Sequence, residues 1–224
     1  AGARKGSGNF TAVMRGRAAH AGREHHLGRN AVAALAEFIT GIDALNGQRE
    51  GMTVNAAMID GGKALNVVPD MALCRFNIRV EQPADQTWIE DELVALRARI
   101  GQRDGITIEF HGGFGRPPKV LSDHNGYLFR LFSDCGERLG ITIAHKPTGG
   151  CCDGNNLAAA GLANIDTLGV RGGNIHSAEE FLLLDSLTER AKLTALFLMK
   201  LGAGEIAWPP GDDWQADYMT QDIS

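Results

Sequence analysis

No stretch of this 224-residue chain comes near the run of about 18 apolar residues that a membrane-crossing helix needs. The N-terminus, Ala1-Gly-Ala-Arg-Lys-Gly-Ser-Gly8, has no apolar core of the kind a secretory signal peptide carries. It also has no initiator Met, so upstream sequence is expected to have been removed or left out. Cysteines are few. Cys74, Cys135, Cys151 and Cys152 form no Cys-x-x-Cys pair, which argues for reduced structural thiols rather than a disulfide frame or a zinc knuckle. There is no internal repeat and no low-complexity run. Nor is there a basic excess: the formal charge is −5, and residues 205–224 hold five acidic groups and no basic one, whereas 1–116 are nearly balanced at 14 basic and 13 acidic. The acidity is therefore a tail, and nothing in the charge pattern points to nucleic acid. With 44% apolar and 22% charged residues the chain has material for a sizeable core, in one large domain or two small ones.

Periodicity divides what is present into two grammars. Residues 9–15 alternate with Phe10, Ala12 and Met14 on one face, as in a half-buried strand. A polar loop with His20, His25 and His26 follows, and then Ala31, Leu35, Phe38, Ile39, Ile42 and Leu45 recur at helical spacing between Asn30 and Gly47. Strands are expected over 53–59 and over 67–80. In the second of these Ala72, Cys74, Phe76, Ile78 and Val80 line one face and Arg79 looks away. Pro83 and Asp85 open a helix marked by Ile89, Leu93, Leu96 and Ile100, and residues 105–110 form a strand. The order β-α-β-β-α-β is that of a ferredoxin-like sandwich, an antiparallel sheet with both helices on one face.

Gly112-Gly-Phe-Gly-Arg-Pro-Pro118 is the best linker candidate. Beyond it the chain alternates helix and strand: helices around 128–139, 155–160 and 187–201, strands at 141–144 and 163–168. This is the grammar of an α/β layer with a parallel sheet, yet two strands do not stand alone as a stable sheet. The sheet is expected to need strands that this chain lacks.

Chemistry-bearing residues concentrate in two Gly-rich loops of this second part. Lys146-Pro-Thr-Gly-Gly-Cys-Cys-Asp-Gly-Asn-Asn156 lacks the Lys-Ser/Thr ending of a phosphate loop. Gly149 and Gly150 let a ligand approach the backbone closely, and Asp153 is placed to cap the helix that follows. A Cys151 or Cys152 nucleophile with a histidine base is the less favoured alternative. Arg171-Gly-Gly-Asn-Ile-His-Ser-Ala-Glu-Glu-Phe181 presents His176 ahead of two carboxylates, an arrangement suited to a metal site at the edge of an α/β sheet. Glu179 and Glu180 read equally as solvated carboxylates at a helix start. No other segment offers a His-x-Asp, a His-x-x-x-His or an acidic pair in comparable context, so the chain reads as part of a site.

Taken in order, Gly16-Arg-Ala-Ala-His-Ala-Gly22, Gly28-Arg-Asn-Ala-Val32, Gly61-Gly62, Asn66-Val-Val-Pro-Asp70, Arg79, Thr148-Gly-Gly-Cys-Cys-Asp153 and His176-Ser-Ala-Glu-Glu180 resemble the dinuclear-zinc aminoacylase and carboxypeptidase family. Its members include glutamate carboxypeptidase, acetylornithine deacetylase and succinyl-diaminopimelate desuccinylase. The ending Leu201-Gly-Ala-Gly204 is most similar to the bacterial glutamate carboxypeptidase branch. The resemblance implies a lid or dimerisation domain at 8–115, the C-terminal part of an α/β catalytic domain at 117–204, and an acidic tail at 205–224. It also implies a homodimer through the lid and two zinc ions in the complete enzyme, of which this chain supplies the single ligand His176 and by itself holds none tightly.

By the same resemblance His20 reaches the neighbouring subunit's site and stabilises the oxyanion of the tetrahedral intermediate. Asn66 and Arg79 hold the free carboxylate of a peptide or N-acyl amino acid substrate, and the Gly149 and Gly150 amides line the pocket. The implied activity is zinc-dependent hydrolysis of an amide next to a free carboxylate. The chain alone is expected to be inactive, because the family's remaining ligands and its base have no counterpart here. The alternative is a non-catalytic dimerisation or small-molecule-binding module of the same fold, with neither nucleic acid nor membrane as partner.

Overall fold

The computed structural model describes residues 2–208; most of the acidic tail expected at 205–224 lies outside them. The chain divides into two compact units. One is Lys5–Lys119 with Gly149–Cys151, and the other comprises the described parts of Ala1–Arg4, Val120–Thr148 and Cys152–Ser224.

In the first unit the chain runs β1 (Gly6–Arg15), α1 (Ala31–Asp43), β2 (Thr53–Gly61), β3 (Met71–Val80), α2 (Pro83–Gly101) and β4 (Thr107–Arg116). The strands make one antiparallel sheet in the order β2-β3-β1-β4, the ferredoxin-like arrangement that the element order implied. Strict alternation puts Ala72, Cys74, Phe76, Ile78 and Val80 of β3 on the buried face, with Ala12 and Met14 of β1 beside them in register with Cys74 and Ala72. Ala34, Leu35, Phe38 and Ile42 of α1 and Ile89, Leu93, Leu96 and Ile100 of α2 cover that one face in a single core. Rings lock it at the centre: Phe10 stacks on Phe76 at 5.3 Å, and Phe38 meets Phe76 edge-on at 5.5 Å. Each helix starts on a sequence signal. The Asn30 side chain accepts from the Ala33 N–H, and Asp85 accepts from the Gln82 N–H just ahead of Pro83.

Two boundaries differ from the sequence expectation. The strand expected from residue 67 begins at Met71, because Pro69 has no N–H for the ladder and the Val68 N–H is spent on the Ala19 carbonyl. The linker expected at 112–118 is instead mostly the end of β4, with Phe114 in register with Gly8 and Arg116 with Ser7. Gly112 makes that possible: at φ +97° a Cβ there would lie 2.1 Å from the Asn9 carbonyl oxygen. The free edge on one side is β2, irregular between Ala56 and Met58, with Met58 and Ile59 exposed.

The second unit is built on helices α3 (Asp123–Arg138), α4 (Asp153–Ala159) and α5 (Asp185–Gly202), plus a hairpin of β5 (Gly172–Gly173) and β6 (Phe181–Leu182). Leu128, Phe132 and Cys135 of α3 pack on Leu193 and Phe197 of α5, with Phe132 and Phe197 edge-to-face at 5.5 Å. The strands expected at 141–144 and 163–168 do not form. Their backbones enter no ladder, yet Ile141, Ile143, Ala163, Ile165 and Leu168 still pack on the α3–α5 core. These apolar side chains are partly buried, but a strand also needs a hydrogen-bonding neighbour, and none is present among the described residues. Arg4 grips Asp166 with two parallel bonds, Nε to Oδ2 at 2.8 Å and Nη2 to Oδ1 at 2.9 Å, and both side chains are largely buried.

Candidate functional site

In the first unit, loop folding and strand ends place the candidate residues. The loop after β1 folds back so that the Ala21 N–H donates to the Asn66 carbonyl at 2.9 Å, while His20 bridges to Val67. His20 and Asn66 thereby share one corner of the unit, both exposed. The ring of His20 is oriented by its own turn: Nδ1 accepts from the N–H groups of Gly22 at 3.1 Å and Arg23 at 3.2 Å. A neutral imidazole whose Nδ1 accepts carries its proton on Nε2, so the group presented outward is a donor. The pair lies just before β3 begins. A concavity of about 180 Å³ next to it is lined by Gly61, Gly62, Lys63, Val67, Pro69 and Asp70, among others.

Arg79 occupies the opposite end of the same strand. From Met71 to Arg79 an extended chain covers roughly 26 Å, so in one copy Asn66 and Arg79 do not meet over a single small ligand. Arg79 lies on the polar face of β3, where Asn77 also points, and it is half-buried. Its Nε donates to Asn77 Oδ1 at 2.9 Å and its Nη1 to Cys151 Sγ at 3.3 Å. Gly149 and Gly150 are exposed immediately before that cysteine, and a Cβ on Gly149 would meet nothing. Arg79, Gly149, Gly150 and Cys151 thus belong to one unit, and His20 with Asn66 to its far corner.

His176 sits at the tip of the β5–β6 hairpin in left-handed backbone, φ 69°, as does Asn174 at φ 55°. The Glu180 carboxylate accepts from the His176 N–H at 3.3 Å, leaving the imidazole in solvent. The helix-start reading of Glu179 and Glu180 is therefore corrected: both close a hairpin turn, because the Gly172–Gly173 pair lets β6 return against β5. Among the described residues no three His, Cys, Asp or Glu side chains gather where they could hold a metal. The cap of α4 is also not Asp153, which falls one residue inside the helix. Cys152 is the N-cap, its Sγ accepting from the Gly154 N–H at 3.3 Å.

Cys74 and Cys135 are buried, one in the core of each unit. Burial pushes Cys74 above the ordinary thiol value, and burial is the first cause for Cys135 as well, only partly offset by Lys200 and Arg138. The sequence reading assigns Asn77 no role and names Cys151 only as an alternative nucleophile. Asn77 could have been found by its period-2 spacing to Arg79, whereas nothing in the sequence links Cys151 to a strand 72 residues away.

An antiparallel β2-β3-β1-β4 sheet covered on one face by two helices is a ferredoxin-like sandwich, and this one carries a loop histidine at one end and an arginine at the other. Residues 2–104 match the family described as the peptidase dimerisation domain. Carboxypeptidase G2 of Pseudomonas sp. (strain RS-16) is 24% identical over 199 residues, 85% of this chain and 46% of that protein. A probable carboxypeptidase of Aspergillus clavatus is 40% identical over 138 residues, 55% of this chain and 32% of that protein. Among solved structures, the aminopeptidase PepT of Bacillus cereus superposes with a TM-score of 0.74 at 20% identity, covering 90% of this chain and 53% of that one. A Bacillus subtilis protein described as a dinuclear metal binding peptidase gives 0.66 at 18%, covering 89% and 51%. These likenesses to solved structures show the fold. The chain spans less than half the length of these curated relatives.

Proposed function

We propose that the chain carries the dimerisation lid (8–115) and the C-terminal part of the catalytic domain (117–204) of a zinc-dependent hydrolase that cleaves an amide bond next to a free carboxylate. The observation that carries this reading is the split of candidate groups between the two ends of β3: an Nε2 donor on His20 beside the Asn66 amide at one end, and the Arg79 guanidinium at the other. A donor suits a developing oxyanion and a guanidinium suits a carboxylate. Groups roughly 26 Å apart along one strand serve one small substrate only if they come from different copies. A homodimer supplies that geometry, with His20 and Asn66 of one lid facing a substrate held by Arg79 of the other. The exposed β2 edge with Met58 and Ile59 is the surface on which two lids would pair.

Family relatives, one of them described as a dinuclear metal binding peptidase, favour a metal-dependent site. The described residues do not make such a site on their own: His176 is one exposed imidazole, and a catalytic zinc takes about three protein ligands. The chain by itself is expected to be inactive. The contribution of these residues is to bind the carboxylate through Arg79, to line the pocket with the Gly149 and Gly150 amides, and to donate from His20 Nε2.

Subunit complementation in the full-length protein tests this directly, with p-aminobenzoyl-glutamate and N-acetyl amino acids as substrates. His20→Ala should lower kcat about 100-fold or more, as loss of an oxyanion donor does, and Arg79→Ala should lower kcat/KM at least tenfold or so. In a mixed dimer of the two variants one of the two composite sites is intact, so up to half the wild-type activity should return. A mixed dimer as inactive as its parents would place both groups in one subunit and sink the reading. Absence of hydrolysis by the wild-type protein would favour the non-catalytic module instead.

A further inference from the structure

We infer that Asn77 and Cys151 are positioning residues that fix the plane of the Arg79 guanidinium and leave only its outer edge, the two Nη nitrogens, to receive a single carboxylate; this rests on the reading of Arg79 as the carboxylate grip. A guanidinium has five N–H donors and two forks, a side-on fork using Nε with one Nη and an end-on fork using both Nη groups. In this chain the Nε–H is spent on Asn77 Oδ1 at 2.9 Å, which closes the side-on fork. One Nη1–H goes to Cys151 Sγ at 3.3 Å, and three donors, all on Nη1 and Nη2, remain.

The Asn77 amide is itself held. Its Nδ2 donates to the Gly8 carbonyl at 2.9 Å, to Asn9 Oδ1 at 2.8 Å and to Ser7 Oγ at 3.3 Å, so the oxygen end is the one turned to Arg79. A flip of the amide would set donor against donor at Arg79 and would lose the bonds to the Gly8 carbonyl and Asn9 Oδ1 across the β1–β3 pair. A long, otherwise mobile arginine is thus held on both sides before any ligand arrives, which lowers the ordering cost of binding. Cys151 lies next to the open edge and is only half-buried, so a carboxylate seated there would screen the thiol.

The test uses the chain itself, with N-acetyl-L-alanine as the probe and N-acetyl-L-alaninamide, which lacks the carboxylate, as the control. The Arg79 Nε–H resonance is followed by NMR, and alkylation of Cys151 by iodoacetamide is followed by peptide mass mapping. The acid should move the resonance and, at saturation, slow alkylation about threefold or more, and the amide should do neither. Asn77→Ala and Cys151→Ala should weaken binding of the acid about threefold or more, whereas Cys151→Ser, which keeps an acceptor, should stay within about twofold of wild type. If the acid shifts the resonance but the Asn77→Ala and Cys151→Ala proteins bind it as tightly as wild type, the positioning role is wrong and the carboxylate grip stands. If the acid leaves Arg79 unmoved, the grip itself is wrong and the positioning role falls with it.

Discussion

The two units of this chain were written with similar apolar content and reach different degrees of order. In the first unit, strands of 9 or 10 residues pair across their lengths, and 21 buried apolar residues form one cluster under two helices. In the second unit the ladder is reduced to two-residue strands, and five buried residues of α3 and α5 make the cluster. Meanwhile Ile175, Phe181, Leu182, Leu183, Leu184 and Leu187 stand exposed. A sheet whose every inner position finds a helix above it closes on itself, whereas helices whose extended neighbours have no ladder leave apolar surface uncovered.

The largest effect expected from this contrast is on stability. Phe38→Ala removes a ring that is fully buried against Phe76 and Phe110 and should destabilise the lid by about 3–5 kcal/mol. Phe132→Ala should fall at or below the low end of that range, since its smaller cluster can collapse into the space. Denaturant unfolding followed by probes in each unit would show it, and equal losses would break the comparison.

Gly112→Ala comes next. The new Cβ would meet the Asn9 carbonyl oxygen at 2.1 Å in a left-handed backbone, so about 1–3 kcal/mol of lid stability should go. The β1–β4 amides should lose exchange protection first. A wild-type-like protection pattern would mean that the end of β4 is not held as described.

Smaller still are the caps. Asn30→Ala at the start of α1 and Ser122→Ala at the start of α3 each remove one side-chain acceptor from an N–H and should each cost about 0.5–2 kcal/mol. Thermal melts resolved by unit would assign the first loss to the lid and the second to the other unit.

The smallest effect is a pH dependence at the end of α5. A hydrogen bond and ion pair from Lys200, in that order, hold the Glu205 carboxyl below its ordinary value. A folded value below the unfolded one means that the stabilisation is present above the unfolded carboxylate range and is lost as pH falls through the folded value. Because Glu205 is exposed, the acid-side loss should be slight, and Glu205→Gln should remove it. An unchanged acid limb in that variant would show that the pair contributes nothing.

How much of this was legible beforehand follows from what each signal measures. The β-α-β-β-α-β order, the buried face of β3 and the starts of α1 and α2 were readable, since alternation, helical spacing and caps act within a few residues. The strand end at Arg116 was not, because Gly112 reads locally as a linker and becomes strand only where the Asn9 carbonyl passes beside it. Residues 141–144 and 163–168 show the converse error: their apolar pattern reports burial, and a ladder depends on a neighbour that the pattern does not contain.

The candidate residues divide in the same way. Their identities stand in the sequence, and so does the period that turns Arg79 away from the core. That His20 and Asn66 share a corner, that Arg79 lies a strand's length from them, and that Asn77 and Cys151 hold its guanidinium were decided only by tertiary structure. Local chemistry determines which face a side chain takes and where a helix begins, but the meeting of residues 46 or 72 positions apart depends on sheet register and on loops packed over it, which no single segment encodes.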